Sequence, residues 1–263
     1  MVAITRRQFI KIAGLTGAGF GAAVLLYGYA APTSTVFGAS YSGTRTKDKF
    51  VALTFDDGPN EPYTSQVLDI LDQFGVKATF FLVGKNVELE PATAQATLSR
   101  GHVIGNHTYS HNANHALTSE GEHDIARAER VIHETLGVYP HLYRPPHGKK
   151  SPWEMDYTRK HGLAEIEWDI SQNDQHRDLD FGKPDPTQFS QAIIEKVSDR
   201  SERGSVILLH DGFGTQHGTV KANKSLTVAA LPLILEGLQK QGCVFVTVTE
   251  LLKIEPYTTN FSF

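Results

Sequence analysis

Short, unbroken apolar runs recur along the chain, and between them lie longer stretches in which apolar positions return every three or four residues. Runs of the first kind cover 50–55, 78–83, 102–106, 142–144, 164–170, 205–210 and 244–248 and are rich in β-branched and aromatic side chains. They read as strands covered on both faces. Stretches of the second kind cover 65–74, 91–100, 119–136, 153–161, 186–200 and 226–241 and read as amphipathic helices. Strands that alternate with helices of this length form parallel β-α units with right-handed crossovers. About seven such units in one domain suggest an α/β barrel rather than an open sheet.

The N-terminus breaks this rhythm. Thr5-Arg6-Arg7-Gln8-Phe9-Ile10-Lys11 precedes an uncharged run over 12–31 that is rich in glycine and alanine. A twin arginine ahead of a weakly hydrophobic stretch resembles a Tat export signal, an address read by the export machinery and no part of the fold. The alternative is an N-terminal membrane anchor, because roughly 20 apolar residues can span a bilayer. The glycines in the run make it a poor permanent span, so export to the periplasm, cell envelope or exterior is the expectation, with cleavage near Ala30 or Ala39 left open. Residues 32–48, rich in Ser, Thr and Gly, read as a linker. The expected division is a signal segment with linker over 1–39 and one catalytic domain over 40–263.

Composition narrows the function. With 263 residues and 40% hydrophobic content the chain can bury a large core. The formal net charge is −4, and since the leader contributes Arg6, Arg7 and Lys11 without an acid, the remainder stands at −7. That balance argues against nucleic acid and against a polybasic membrane patch, and no stable protein partner is implied. A single cysteine, Cys243, rules out an intramolecular disulfide and a cysteine-based zinc site; its apolar surroundings mark it as a buried small hydrophobe.

The chemistry gathers where the predicted strands end. Asp56 and Asp57 leave the first apolar run and enter a Gly58-Pro59 turn, and two carboxylates there need partners, because an unpaired buried charge is strongly disfavoured. The third strand delivers His107-Thr108-Tyr109-Ser110-His111, two histidines four apart that fall on one side of a helical turn and can grip one divalent metal. With a carboxylate from another strand end they make a His-His-Asp set suited to a catalytic zinc. In Arg144-Pro145-Pro146-His147-Gly148 the prolines hold the backbone still near His147, where N–H groups can face a developing oxyanion, and Arg144 is placed to keep an Asp carboxylate ionised. A further strand delivers His210-Asp211, and a histidine there is a candidate general acid.

These four motifs, in this order, resemble those of polysaccharide deacetylases, the NodB-like enzymes of carbohydrate esterase family 4. The resemblance covers about 48–253, including the closing Thr227-Val228-Ala229-Ala230-Leu231-Pro232. It implies a distorted, incomplete (β/α) barrel of about seven parallel strands and metal-dependent hydrolysis of N-acetyl groups on an acetylated polysaccharide such as peptidoglycan or a chitin-like polymer. Carried onto this chain, Asp57, His107 and His111 look like the ligands of one divalent metal, most naturally Zn2+, with Co2+, Ni2+ or Mn2+ as substitutes. Asp56 looks like the base that deprotonates the attacking water and Arg144 like its positioner. By the same resemblance, backbone N–H near His147 would help hold the oxyanion, His210 would protonate the leaving amine, and Leu208 would line the pocket for the acetyl methyl.

Two departures from the family pattern stand out. His147 replaces the usual tyrosine, and in Trp168-Asp169-Ile170-Ser171-Gln172-Asn173-Asp174-Gln175 the usual Trp is Gln175 while a usual Asp falls on Ser171. The partner of His210 is expected to be Asp174 in preference to Asp169. The altered motif keeps two alternatives open, an O-acetyl polysaccharide esterase of the same fold and a carbohydrate-binding relic without turnover. His102 is expected to be a buried, hydrogen-bonded residue.

Overall fold

Phe50-Val51-Ala52-Leu53-Thr54-Phe55 is buried from Val51 onward because it lies in the middle of a sheet covered on both sides. The computed structural model describes residues 20–31, 34–112, 114, 120–172, 174, 185–200, 203–214 and 223–258. The twin-arginine segment around Arg6 and Arg7 lies outside the described residues, as does Gln175.

The elements begin with α1 (Phe20–Ala30), β1 (Gly43–Arg45), β2 (Phe50–Asp56), α2 (Tyr63–Gln73) and β3 (Thr79–Leu82). Two helices, α3 (Gly84–Leu89) and α4 (Pro91–Ser99), lead to β4 (Val103–Asn106), α5 (Glu120–Leu136), β5 (Tyr139–Pro140) and β6 (Leu142–Tyr143). A 3-10 turn (Pro146–Gly148) and α6 (Pro152–His161) precede β7 (Ala164–Glu165) and β8 (Ile170–Ser171). The chain closes with α7 (Pro186–Ser198), β9 (Arg203–His210), α8 (Ser225–Lys240), β10 (Val244–Val246), α9 (Val248–Leu252) and β11 (Tyr257–Thr258).

Six strands run parallel in the order β9-β2-β3-β4-β6-β7. β10 pairs with the start of β2 and β8 with the middle of β9, both parallel. All seven expected strands are present, and the sheet curls into a half-barrel, the incomplete (β/α) barrel that was expected. The side-chain alternation of β-strands divides its two faces. Val51, Leu53, Phe55, Phe80, Leu82, Ile104, Ile207 and Leu209 pack outward with helix residues such as Leu68, Ile193 and Leu231. Ala52, Phe81, Val103, Leu142, Ile166 and Val206 form the inner cluster. The same inward parity carries Asp56, His107, Arg144, Leu208 and His210 to one end of the barrel. Among the described residues no helix is long and apolar enough to cross a membrane.

Three expectations change. The run over 164–170 splits into β7 and β8 because Asp169 leaves the β6 edge for β9: its N–H donates to Val206 O (3.2 Å) and its Oδ1 accepts from Val206 N (2.8 Å). The run over 244–248 ends at Val246, where Thr247 starts α9 with a capping box: its Oγ1 accepts from Glu250 N and Glu250 Oε2 accepts from Thr247 N. The segment read as a linker is packed. Tyr41 bridges in parallel to Ile166 beside β7, and β1 pairs antiparallel with β9 (Gly43↔Ser205), so one short segment touches both outer strands of the parallel array. Phe37 is buried, and the buried Lys150 Nζ donates to Ser34 O (3.1 Å) and Ser40 Oγ (2.8 Å). Lys150 also faces Glu165 (2.9 Å) and Glu167 (3.4 Å), whose carboxyls burial pushes upward against the pull of the lysine.

Candidate active site

The register of β2 and β9 sets Asp56 directly beside His210, and Asp57 follows in the left-handed region at φ 74°. Thr108 (φ 64°), His111 (φ 48°) and His147 (φ 59°) share that conformation. Residues with side chains rarely adopt it unless their surroundings impose it, and such positions concentrate at functional sites. For the stretch from His107 to His111 this corrects the expected helical turn. Asn106 Oδ1 accepts from Thr108 N (2.8 Å), Thr108 Oγ1 accepts from His111 N (3.1 Å), and Asp124 Oδ2 accepts from both Ser110 N and Ser110 Oγ. A side-chain-capped loop, and no helix, brings the two imidazoles together.

Asp57 Oδ1 lies 3.1 Å from His111 Nε2 and 3.5 Å from His107 Nε2, and all three residues are buried. His107 Nδ1 stands 2.7 Å from Arg144 O, a carbonyl that only accepts, so Nδ1 carries a proton and Nε2 is the nitrogen turned to Asp57. Burial works to raise the Asp57 carboxyl, but His111, His107 and His210 outweigh it and hold it well below the usual carboxylate range. One carboxylate oxygen and two imidazole nitrogens within 4.8 Å of one another form a donor set that fits a divalent cation such as zinc and leaves coordination positions for water and substrate.

Arg144 is fully buried under this group. It donates from Nη1 to Asp56 Oδ1 (2.7 Å) and Thr54 Oγ1 (2.8 Å), from Nε to Ile166 O (3.0 Å) and from Nη2 to Glu167 O (3.1 Å). Its guanidinium lies over the Phe81 ring at 4.0 Å. Asp56 is thereby fixed by one oxygen, while Oδ2 faces the cleft 3.7 Å from His107 Nε2.

His210 is held on the other side. Its Nδ1 lies 2.6 Å from Asp174 Oδ1, its N–H donates to Asp174 Oδ2 (2.7 Å), and Thr227 Oγ1 donates to the same oxygen (3.1 Å). Burial alone would lower the imidazole pKa, but Asp174 and Asp57 outweigh it and raise it; burial alone would raise Asp174, but His210 and Lys224 outweigh it and lower it. Asp169 takes no part, being engaged with Arg200 Nη1 (2.6 Å), Ser205 Oγ and Val206 N. The preference for Asp174 over Asp169 is thus decided by geometry.

Asp56, His107, His111, Asp174 and His210 line a cleft of about 340 Å³ with His147, Trp168, Leu208, Ser171 and Gln172. The His147 ring meets the His111 ring edge-on at 4.9 Å. Lys196 Nζ donates to Ser171 O (2.6 Å) and Gln172 Oε1 (2.8 Å), which steadies the wall where the fourth motif departs from the family pattern. Thr54, Thr227 and Gln172 were not singled out in advance. Thr54 carried a signal, since it precedes Asp56 by two positions and so shares its face of the strand; Thr227 and Gln172 enter the sequence reading only as members of the closing stretch and the fourth motif, without a role of their own. His102 is buried as expected, and its Nδ1 accepts from Ala78 N (3.2 Å), while burial lowers its pKa to about 4.

Comparison with known proteins identifies the family. The family model for polysaccharide deacetylase matches residues 43–166. A peptidoglycan-N-acetylglucosamine deacetylase of Bacillus cereus is 36% identical over 207 residues, 78% of this chain and 89% of that protein. A chitooligosaccharide deacetylase of Bradyrhizobium sp. is 31% identical over 206 residues, 76% and 88% of the two chains. Among solved structures, the Bc1960 peptidoglycan N-acetylglucosamine deacetylase in complex with a substituted benzamide superposes with a TM-score of 0.69 at 29% identity, covering 82% of this chain and 94% of that one. Strand order, the ordered strand-end motifs and shared sequence over most of the chain lead to one assignment: this protein belongs to the polysaccharide deacetylase family, the NodB-like enzymes of carbohydrate esterase family 4.

Proposed function

We propose that the protein is an exported, metal-dependent hydrolase that removes N-acetyl groups from N-acetylglucosamine units of a polysaccharide, either peptidoglycan or a chitin-like polymer. The observation that carries this reading is the arrangement of two separately anchored groups, Asp56 on Arg144 and His210 on Asp174, in one cleft beside the buried Asp57-His107-His111 set. Its family relatives include enzymes named for peptidoglycan and for chitooligosaccharide.

An amide is a poor acyl donor with a poor leaving group, so its hydrolysis needs a base for water, help for the oxyanion and an acid for the amine. A divalent cation at Asp57, His107 and His111, zinc by preference, would polarise the acetyl carbonyl and acidify water. Asp56 takes the proton of the attacking water on Oδ2, the oxygen left over by Arg144. The Pro145-Pro146 turn holds the backbone N–H of His147 toward the developing oxyanion. His210 keeps Nδ1 on Asp174 and gives its Nε2 proton to the departing amine. Leu208, on the inward face of β9 two residues before His210, bounds the space for the acetyl methyl. Export through a Tat-type signal is supported by Arg6-Arg7 and the uncharged, glycine- and alanine-rich run behind them.

The test is acetate release from N-acetylglucosamine oligomers by the purified protein, with a chelator, with zinc restored, and beside Asp56→Asn. Metal-restored release that the mutant lacks supports the reading. Release from acetylated xylan alone would instead identify an O-acetyl esterase.

A further inference from the structure

The pair that would protonate the leaving amine depends on a third residue. Asp174 is 2% exposed, and among the described residues its carboxylate accepts three hydrogen bonds: from His210 Nδ1, His210 N and Thr227 Oγ1. Two of the three come from the residue whose ring Asp174 must orient. A carboxylate anchored only by His210 would follow His210 when that ring moves, so it could not set the direction of the ring. Thr227 is the independent anchor. It is 1% exposed in the first turn of α8, a helix pinned to the core by Leu226, Ala230, Leu231 and Ile234. Its hydroxyl therefore reports the position of the helix and not that of His210. Lys224, also buried, begins the same helix and adds positive charge on the Asp174 side of the pair.

We infer that Thr227 is a positioning residue for proton donation to the departing amine, its hydroxyl locking the Asp174 carboxylate in the orientation that aims His210 Nε2 into the cleft. This rests on the deacetylase reading above. It assigns the first turn of α8, which lies outside the cleft lining and reaches it through Asp174, a role specific to leaving-group chemistry.

That specificity supplies the test. Departure of an amine requires protonation, whereas 4-nitrophenolate leaves 4-nitrophenyl acetate unaided. Steady-state kinetics of the full chain with zinc are compared for a chitooligosaccharide and for 4-nitrophenyl acetate. Thr227→Val is expected to lower kcat for the amide roughly tenfold, the scale of one hydrogen bond to a charged group, with KM little changed and the ester affected far less, so that the amide-to-ester ratio falls. Thr227→Ser, which keeps the hydroxyl, is expected to restore the ratio to within about twofold. Should the valine variant fail to fold, Thr227→Ala gives the same comparison. A parallel fall of both activities, or an unchanged ratio, overturns the inference alone. Absence of acetate release by the unsubstituted protein overturns the deacetylase reading and this inference with it.

Discussion

Replacing Arg144 by methionine tests the reading of the cleft as a set of charges held in place by one buried cation. The substitution keeps much of the side-chain volume over Phe81 and removes every polar bond. Asp56, 2% exposed, loses its 2.7 Å partner, and Ile166 O, Glu167 O and Thr54 Oγ1 lose their donors. Removing one member of a buried ion pair leaves an uncompensated charge and costs about 3–5 kcal/mol. At about 2–4 °C per kcal/mol for a domain of this size, the melting temperature should fall by about 6–20 °C. The assay is thermal unfolding by circular dichroism in chelator, so that no added cation compensates Asp56, for the single variants Arg144→Met and Asp56→Asn and for the double variant. Once Asp56 is neutral the loss of Arg144 should cost much less, giving a coupling of about 2 kcal/mol or more. Additive losses within about 0.5 kcal/mol would refute the argument, because independent sites behave that way.

Three further outcomes follow from the same structure. Gly105→Ala would place a Cβ 2.5 Å from the Phe81 ring, and since that ring lies under Arg144, overpacking should cost about 1–3 kcal/mol and lower kcat; an unchanged melt and rate would show that the ring yields freely. Asp57→Ala should abolish high-affinity zinc binding in a calorimetric titration while the far-ultraviolet spectrum stays native, and retained binding would move the metal elsewhere. Burial raises the Glu129 carboxyl to about 8 despite the hydrogen bond from Tyr157 OH. A raised folded-state pKa means that its contribution is fully present below the unfolded value and is lost as pH rises through about 8, so Glu129→Gln should melt progressively higher relative to the parent between pH 5 and 9; parallel curves would contradict this.

What could be read from the sequence was whatever depended on local pattern. The run at 50–55 and the run at 205–210 are short, β-branched and continuous, which fits a strand in a doubly covered sheet, and their ends coincide with Asp56 and His210. Local pattern misled where a neighbour distant in the chain decided the backbone. Two histidines four apart suggest a helical turn, but Asn106, Thr108 and Asp124 fold that stretch into a loop. Glycine and serine in 32–48 suggest a linker, yet Tyr41 and β1 find partners at Ile166 and in β9. The choice between Asp169 and Asp174 needed the position of Arg200, and the anchoring of Asp174 by Thr227 needed the packing of α8.

The position of β9 fixes when the cleft comes into being during folding. β2 lies between β3 and β9, and Thr54 Oγ1 bonds Ile207 O across 153 positions of chain. Closing a loop of that length costs about 4 kcal/mol in chain entropy beyond a constant, and it is recovered only when the whole ladder zips. Pairings of such long range form slowly. A nascent chain that has emerged only through α7 already carries Asp57, His107 and His111, but the side of β2 on which Asp56 meets His210 is still unpaired. The complete cleft is therefore a late product of folding, closed in the step that seats β9, with Leu208 and His210, against β2.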